Sequence, residues 1–234
     1  MATTGLQLLG FVLGVIAWSG MIATCMSPEW RQNSVGGTAL DEHKRFDGLW
    51  TQCEQMPNGN TNCESYNVFF IGLPEVLQTC RALMITAIGL GFLGILLSVL
   101  GMKCTSVGAS NHKAKARTAL LGGLLLGVAA ACTGASVSYY AHKVVQEYFN
   151  PVLPYNTPLY LRFEYGSALF IGWISLIMGV LSSVIMSAAS LMVLSKIAKG
   201  EILQNGYLKK HLGYKQLEGL RTQNKLTHAV QEYV

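Results

Sequence analysis

Four stretches of the chain contain no Asp, Glu, Lys or Arg: residues 1–28, 82–102, 118–142 and 165–195. Each supplies the ~20 consecutive apolar residues that span a bilayer core. The pattern predicts transmembrane helices at 6–26, 82–102, 118–140 and 166–194, the last long enough to tilt or to run past the bilayer. They are separated by a short N-terminal segment (1–5), a long loop (27–81), a short loop (103–117), a third loop (141–165) and a tail (195–234). Within the long loop, "PEWRQNS", "DGLWTQC" and "TNCESYN" read as strands, and "VFFIGLPEVLQTCR" as a short amphipathic helix entering the second span. In the third loop Leu159, Leu161 and Phe163 alternate with Tyr160, Arg162 and Glu164, the period of a further strand. The expected fold class is an α-helical membrane protein: a four-transmembrane bundle carrying a small extracellular sheet.

Composition agrees. Hydrophobic residues make up 51% of the 234 and charged residues 12%, about half the ~25% of a soluble domain. A cleaved leader is not expected, because "MATTG" lacks a basic n-region and the apolar run after it is long. Charge then orients the spans. The short loop carries Lys103, Lys113, Lys115 and Arg117 with no acid, and the tail carries seven Lys/Arg against Glu201, Glu218 and Glu232. The long loop holds Arg31, Lys44 and Arg45 against Glu29, Asp41, Glu42, Asp47, Glu54, Glu64 and Glu75. Short loop, tail and both termini are expected in the cytoplasm, and the long and third loops outside. The formal charge of +5 is a sum over two compartments. It points to topology and anionic membrane lipid, not to nucleic acid.

Outside the cell disulfides persist, and Cys53 and Cys63 flank Pro57-Asn58-Gly59. If these three residues form the hairpin loop, Met56 pairs with Asn60, Gln55 with Thr61, Glu54 with Asn62 and Cys53 with Cys63. The cysteines then fall at a non-hydrogen-bonded pair, where Cα atoms stand about 4.5 Å apart, a spacing a disulfide accepts. Two free thiols beside a turn is the weaker reading. Cys25, Cys80 and Cys132 read as small buried hydrophobes. Cys104 follows a span on the cytoplasmic side, a position open to S-acylation. No metal-ligand pair, nucleophile elbow or phosphate loop appears, so neither enzyme nor cofactor is expected. The spans lack the ionisable groups of a transporter. Gly10/Gly14 and Gly123/Gly127 fit GxxxG helix contacts. No permissive N-x-[ST] acceptor occurs in either outer loop.

Trp30, Gly48-Leu49-Trp50, Cys53 and Cys63, in that order in the first outer loop of a four-span chain, resemble the claudin signature. Cys80-Arg81, "GMKCT", "EYFNP", "ALFIGW" and the terminal Tyr233-Val234 extend the resemblance across all four spans. It implies a tight-junction protein with a left-handed four-helix bundle and a small extracellular antiparallel five-stranded β-sheet, polymerising with other claudins side by side in one membrane and head to head between cells. It also implies that the GLW tryptophan anchors the sheet at the membrane surface. Trp30 and Trp50 suit that interface, and a place in the loop core suits them equally. Arg81 is implied beside the sheet. Side-by-side assembly is implied to use an apolar knob, by position Phe69, entering an aromatic pocket that maps to Tyr148, Phe149 and Tyr165. A knob and a pocket on one molecule propagate as a filament. The alternative is that Phe69 and Phe70 dip into lipid. Head-to-head contact is implied for the second outer loop, here Asn150, Pro151, Pro154 and Tyr155. That loop departs from the family pattern by about four or five extra residues through "LPYNTPLY", and the cysteines usual after span four are absent.

As a claudin, the chain would seal the space between cells or conduct ions through it. Residues near the second cysteine face that path in the family. Glu64 holds this position, with Glu54 across the hairpin, and Asp41, Glu42 and Asp47 add to an acid-rich loop that favours cations. Screening over ~8 Å leaves only path-lining acids effective. The terminal Tyr233-Val234 suits a PDZ scaffold groove, which captures a free carboxylate and an apolar last side chain. An accessory subunit of another receptor or channel, from the wider superfamily, is the alternative.

Overall fold

A computed structural model describes residues 2–33, 44–56, 58–66, 72–102, 112–149 and 163–231. Four helices run α1 (Ala2–Met26), α2 (Glu75–Gly101), α3 (His112–Tyr148) and α4 (Ser167–Gln231). Five strands are β1 (Arg31–Asn33), β2 (Lys44–Asp47), β3 (Thr51–Gln55), β4 (Thr61–Ser65) and β5 (Phe163–Tyr165). The chain divides into two compact units, Met1–Ser190 and Leu191–Val234, the second built on the distal length of α4.

All four apolar windows are helical, because hydrocarbon leaves a backbone no partner but itself. Each helix contains a stretch long and apolar enough to cross a membrane: Thr4–Met26, Glu75–Gly101, Lys113–Tyr148 and Ser167–Gly200. The distribution of side chains inverts that of a soluble bundle. Leu8, Leu9, Phe92, Leu93, Leu121, Leu124, Ile174 and Val184 face outward, while Ala17, Ala87, Ala119, Ala129, Ser98, Thr133, Ser136 and Ser182 are buried. Small residues at helix contacts let backbones approach where lipid removes any hydrophobic drive. Gly10 and Gly14 meet Met186 and Ser182 of α4, and Gly123 and Gly127 meet Met186 and Ser183. Both GxxxG pairs therefore contact one helix, α4. The α2–α3 contact uses Gly94 and Gly122, where a Cβ on Gly122 would come 2.8 Å from the Gly94 carbonyl oxygen.

The sheet has the order β4-β3-β2-β1-β5, and every pairing is antiparallel. The hairpin register is the expected one: Gln55 faces Thr61, Glu54 faces Asn62 and Cys53 faces Cys63. The Met56 N–H donates to the Asn60 carbonyl at 2.9 Å, and Gly59 takes φ +81°, the left-handed conformation glycine accepts without strain. Cys53 and Cys63 form a disulfide across Cα atoms 4.0 Å apart.

Three local expectations change. "DGLWTQC" is not one strand: Asp47 ends β2, the chain bends over 48–50, and β3 starts at Thr51. Gly48 permits the bend, since a Cβ there would lie 2.6 Å from Pro28 Cα. Glu75–Arg81 forms no separate helix but the opening of α2, which continues unbroken to Gly101 with Glu75 at its electropositive end. Residues 68–71 of the expected amphipathic segment lie outside the described residues. Finally, α3 runs to Tyr148, beyond the expected 140. Its 37 residues reach about 55 Å at 1.5 Å per residue, well over the ~30 Å of hydrocarbon. The last two turns lie beyond the expected span end and meet the sheet.

Candidate functional site

The signature residues converge on one buried guanidinium. Arg81 is 1% exposed. Its Nε donates to the Leu49 carbonyl at 2.7 Å, and its guanidinium carbon lies 4.7 Å from the Trp50 ring centre and 5.3 Å from that of Tyr66. A planar, weakly hydrated cation between two π faces and a carbonyl is what arginine supports and lysine does not. Leu49 is fully buried below, in a core with Cys25, Trp30, Cys80, Met84, Tyr140 and Leu169. Trp30 is also fully buried. Its indole N–H donates 2.9 Å to the Thr24 carbonyl, and its ring meets Tyr140 edge-on at 5.1 Å. Of the two readings, burial favours the loop core for Trp30, which plugs the junction of sheet and bundle. Arg81 pins the bent GLW segment to α2, and Trp30 pins the start of the loop to α1.

One sheet face collects the charge. The register aligns Tyr165, Arg31, Asp47, Gln52 and Glu64 across five strands, with Arg45, Glu54 and Asn62 in the adjoining row. Asp47 accepts from Arg31 at 2.9 Å and from Arg45 at 3.3 Å, and its side chain is 1% exposed. Arg31 also donates 2.8 Å to Glu147 on the extension of α3. Asp47 is thus the centre of an ion-pair chain that locks β1, β2 and α3 together. A charge so enclosed does not line a water-filled path, which corrects its expected role. Glu54 and Glu64 are exposed on this same face. They sit diagonally, each opposite a polar neighbour, Asn62 and Gln52. Among the described residues no ion pair includes either. Tyr66 lies at the edge of this cluster. Burial, reinforced by the nearby Asp47 carboxylate, raises its phenol above the ordinary range, against the Gln52 hydrogen bond and the charges of Arg31 and Arg81.

An apolar groove of about 360 Å³ opens where α3, β5 and α4 meet, lined by Val144, Tyr148, Phe149, Phe163, Tyr165 and Phe170 among others. Tyr148 and Phe149 pack edge to face at 5.1 Å, Tyr165 meets Trp173 edge to face at 6.0 Å, and Arg31 lies 4.3 Å over Phe163. Phe149 is 74% exposed. The three expected pocket residues are therefore brought together, from elements fourteen or more residues apart in sequence.

The pattern that defines the PMP-22/EMP/MP20/Claudin family matches residues 4–186. Claudin-19 of Mus musculus is 45% identical over 176 residues, which is 75% of this chain and 76% of that protein. The chain belongs to the claudin family. Claudin-7 of Homo sapiens is 34% identical and Claudin-1 of Mus musculus 33% identical, each over 190 residues, 81% of this chain and 88% of theirs.

Within this claudin, Asp41, Glu42, Phe69, Asn150, Pro151, Pro154, Tyr155, Cys104, Tyr233 and Val234 lie outside the described residues. Sequence reasoning missed Arg31, Tyr66, Tyr140 and Glu147. Arg31 and Glu147 pair across 116 positions, a distance over which no periodicity carries information. The one usable signal was the unexplained arginine next to Trp30.

Proposed function

We propose that this claudin is a tight-junction strand protein whose extracellular sheets border the space between cells and favour cations there. The exposed pair Glu54 and Glu64, on one face beside the stapled hairpin, carries the reading. Fixed carboxylates on a rigid strand pair concentrate cations within a Debye length of ~8 Å. The aromatic groove supports lateral assembly, since a rigid concave patch beside the membrane suits an apolar knob from a neighbour, with Phe69 the knob by position. The membrane spans are 6–26, 82–102, 118–140 and 166–194, both termini lie in the cytoplasm, and the Tyr233-Val234 end engages PDZ scaffolds. The longer second outer loop, with Asn150, Pro151, Pro154 and Tyr155, sets head-to-head contact, and Cys104 is the acylation site.

Glu64→Gln in an epithelial layer is expected to lower the Na⁺/Cl⁻ permeability ratio measured from dilution potentials. An unchanged ratio removes Glu64 from the ion path. Expression in cells without tight junctions is expected to yield freeze-fracture strands, and their absence would favour the accessory-subunit reading.

A further inference from the structure

The first apolar window holds a single amide, Gln7. It is 2% exposed, and its Oε1 is buried without a hydrogen-bond partner. Two hydroxyls of α4, Ser187 Oγ and Ser190 Oγ, are in the same condition. Other buried hydroxyls of the bundle avoid it by donating to the carbonyl four residues earlier. Thr24 donates to Gly20 at 2.9 Å, Ser98 to Gly94 at 2.7 Å, Thr133 to Ala129 at 3.0 Å and Ser175 to Ile171 at 2.8 Å. Ser187 and Ser190 have such carbonyls, on Ser183 and Met186, and do not use them.

The three oxygens belong to one place. α1 and α4 run antiparallel, with Gly14 against Ser182 and Gly10 against Met186. One further turn away from the sheet brings Gln7 level with Ser190. At 100° per residue Gln7 lies about 20° from the azimuth of Gly14, which meets both Ser182 of α4 and Leu126 of α3. Ser190 lies about 40° from Met186, whose side chain packs against both Gly10 of α1 and Gly123 of α3. Ser187 Oγ also faces Gly123, where a Cβ would come 3.3 Å from it. The amide and both hydroxyls therefore point into the interstice of α1, α3 and α4.

Direct bonding does occur nearer the sheet, where Ser182 donates to the Gly10 carbonyl at 2.6 Å. Gln7, Ser187 and Ser190 stand beyond such reach of one another, so a bridging group is needed. An enclosed acceptor beside two enclosed hydroxyls calls for a small ligand that both donates and accepts. Water has that chemistry, and a buried water makes about three hydrogen bonds to groups otherwise left unpaired. A metal cation is a poor match, because α1, residues 112–146 of α3 and residues 167–200 of α4 contain no Asp or Glu. Gln7 lies in the second turn of α1, so bulk water is close. We propose that ordered water occupies this interstice and joins Gln7 Oε1 to the Ser187 and Ser190 hydroxyls, tying α1 to α4 where the GxxxG contacts end.

Met21, Met84 and Met186 are all fully buried, and of the three only Met186 adjoins the site. Full-length protein in nanodiscs is given microsecond X-ray pulses, which split bound water into hydroxyl radicals that oxidise the side chains beside it. Methionine sulfoxide is then counted by mass spectrometry. Met186 is expected to oxidise several-fold faster than Met21 and Met84. Q7L and, separately, S187A/S190A are expected to bring it down to their rate. S98A, at the α2–α3 contact, is expected to leave it unchanged. The Met21 and Met84 rates in each variant report whether the bundle stays closed. Equal oxidation of the three methionines in the unaltered protein would overturn the proposal. A fast Met186 that neither Q7L nor S187A/S190A slows would overturn it too, since other groups would then hold the water. So would an equal loss in S98A.

Discussion

Arg81 shows how one side chain decides the shape of a loop. A buried guanidinium is costly unless every face is occupied, and here Leu49, Trp50 and Tyr66 occupy them. Arg81→Lys keeps the charge and removes the plane. It is expected to cost about 1–3 kcal/mol, seen as a lower Tm in detergent and as protease cleavage near Gly48. Asp47 teaches the converse. Counted in sequence it is one acid among seven in the long loop; in the fold it serves Arg31 and Arg45. Its sign was legible, its partners were not, because a net charge contains no pairing. Phe149 and Tyr66 show the same limit: one aromatic is 74% exposed, the other half-buried against Arg81, and nothing local in the sequence separates them.

Among the elements, the β3–β4 hairpin is the one whose register was readable in full. A three-residue loop with Pro and Gly leaves one pairing for each flanking residue, and the cysteines must then meet. Replacing both by serine is expected to cost about 3 kcal/mol by the closure entropy of a ten-residue loop, with faster exchange over Thr51–Ser65. The helices were equally legible as elements but not at their ends. α3 overshoots the charge-free window because Lys143 and Glu147, polar enough to close the window, are still good helix formers. Helix contacts were half legible. The GxxxG pairs were visible, whereas Gly94 and Gly122 meet only because α2 and α3 pack against each other. Gly122→Val is expected to force these helices apart and to cost about 1–3 kcal/mol, read as a lower Tm with little change in helical content.

At the scale of the molecule, the groove lined by α3, β5 and α4 is the feature most open to a second copy. Phe149→Ser is expected to leave the Tm almost unchanged, because the ring is largely exposed and makes its contact at the groove mouth with Tyr148. The same variant is expected to shorten or abolish freeze-fracture strands. Continuous strands would show that lateral assembly does not use the groove. The sheet order places β5, from the segment before α4, beside β1, from the segment after α1. The two segments are thereby hydrogen-bonded into one sheet.

The sequence by itself determined the class, the number of spans, the hairpin register and its disulfide. Those follow from short-range physics: an apolar run long enough for hydrocarbon, a turn that permits one pairing, a charge count that differs between loops. Only the tertiary structure decided that Trp30 is core rather than anchor, that Arg81 is the peg of the GLW bend, that Asp47 is enclosed while Glu54 and Glu64 stay open, and that Tyr148, Phe149 and Tyr165 share one groove. Each of these depends on contacts between residues far apart in the chain, which folding alone brings within the few ångströms where hydrogen bonds, ion pairs and packing act.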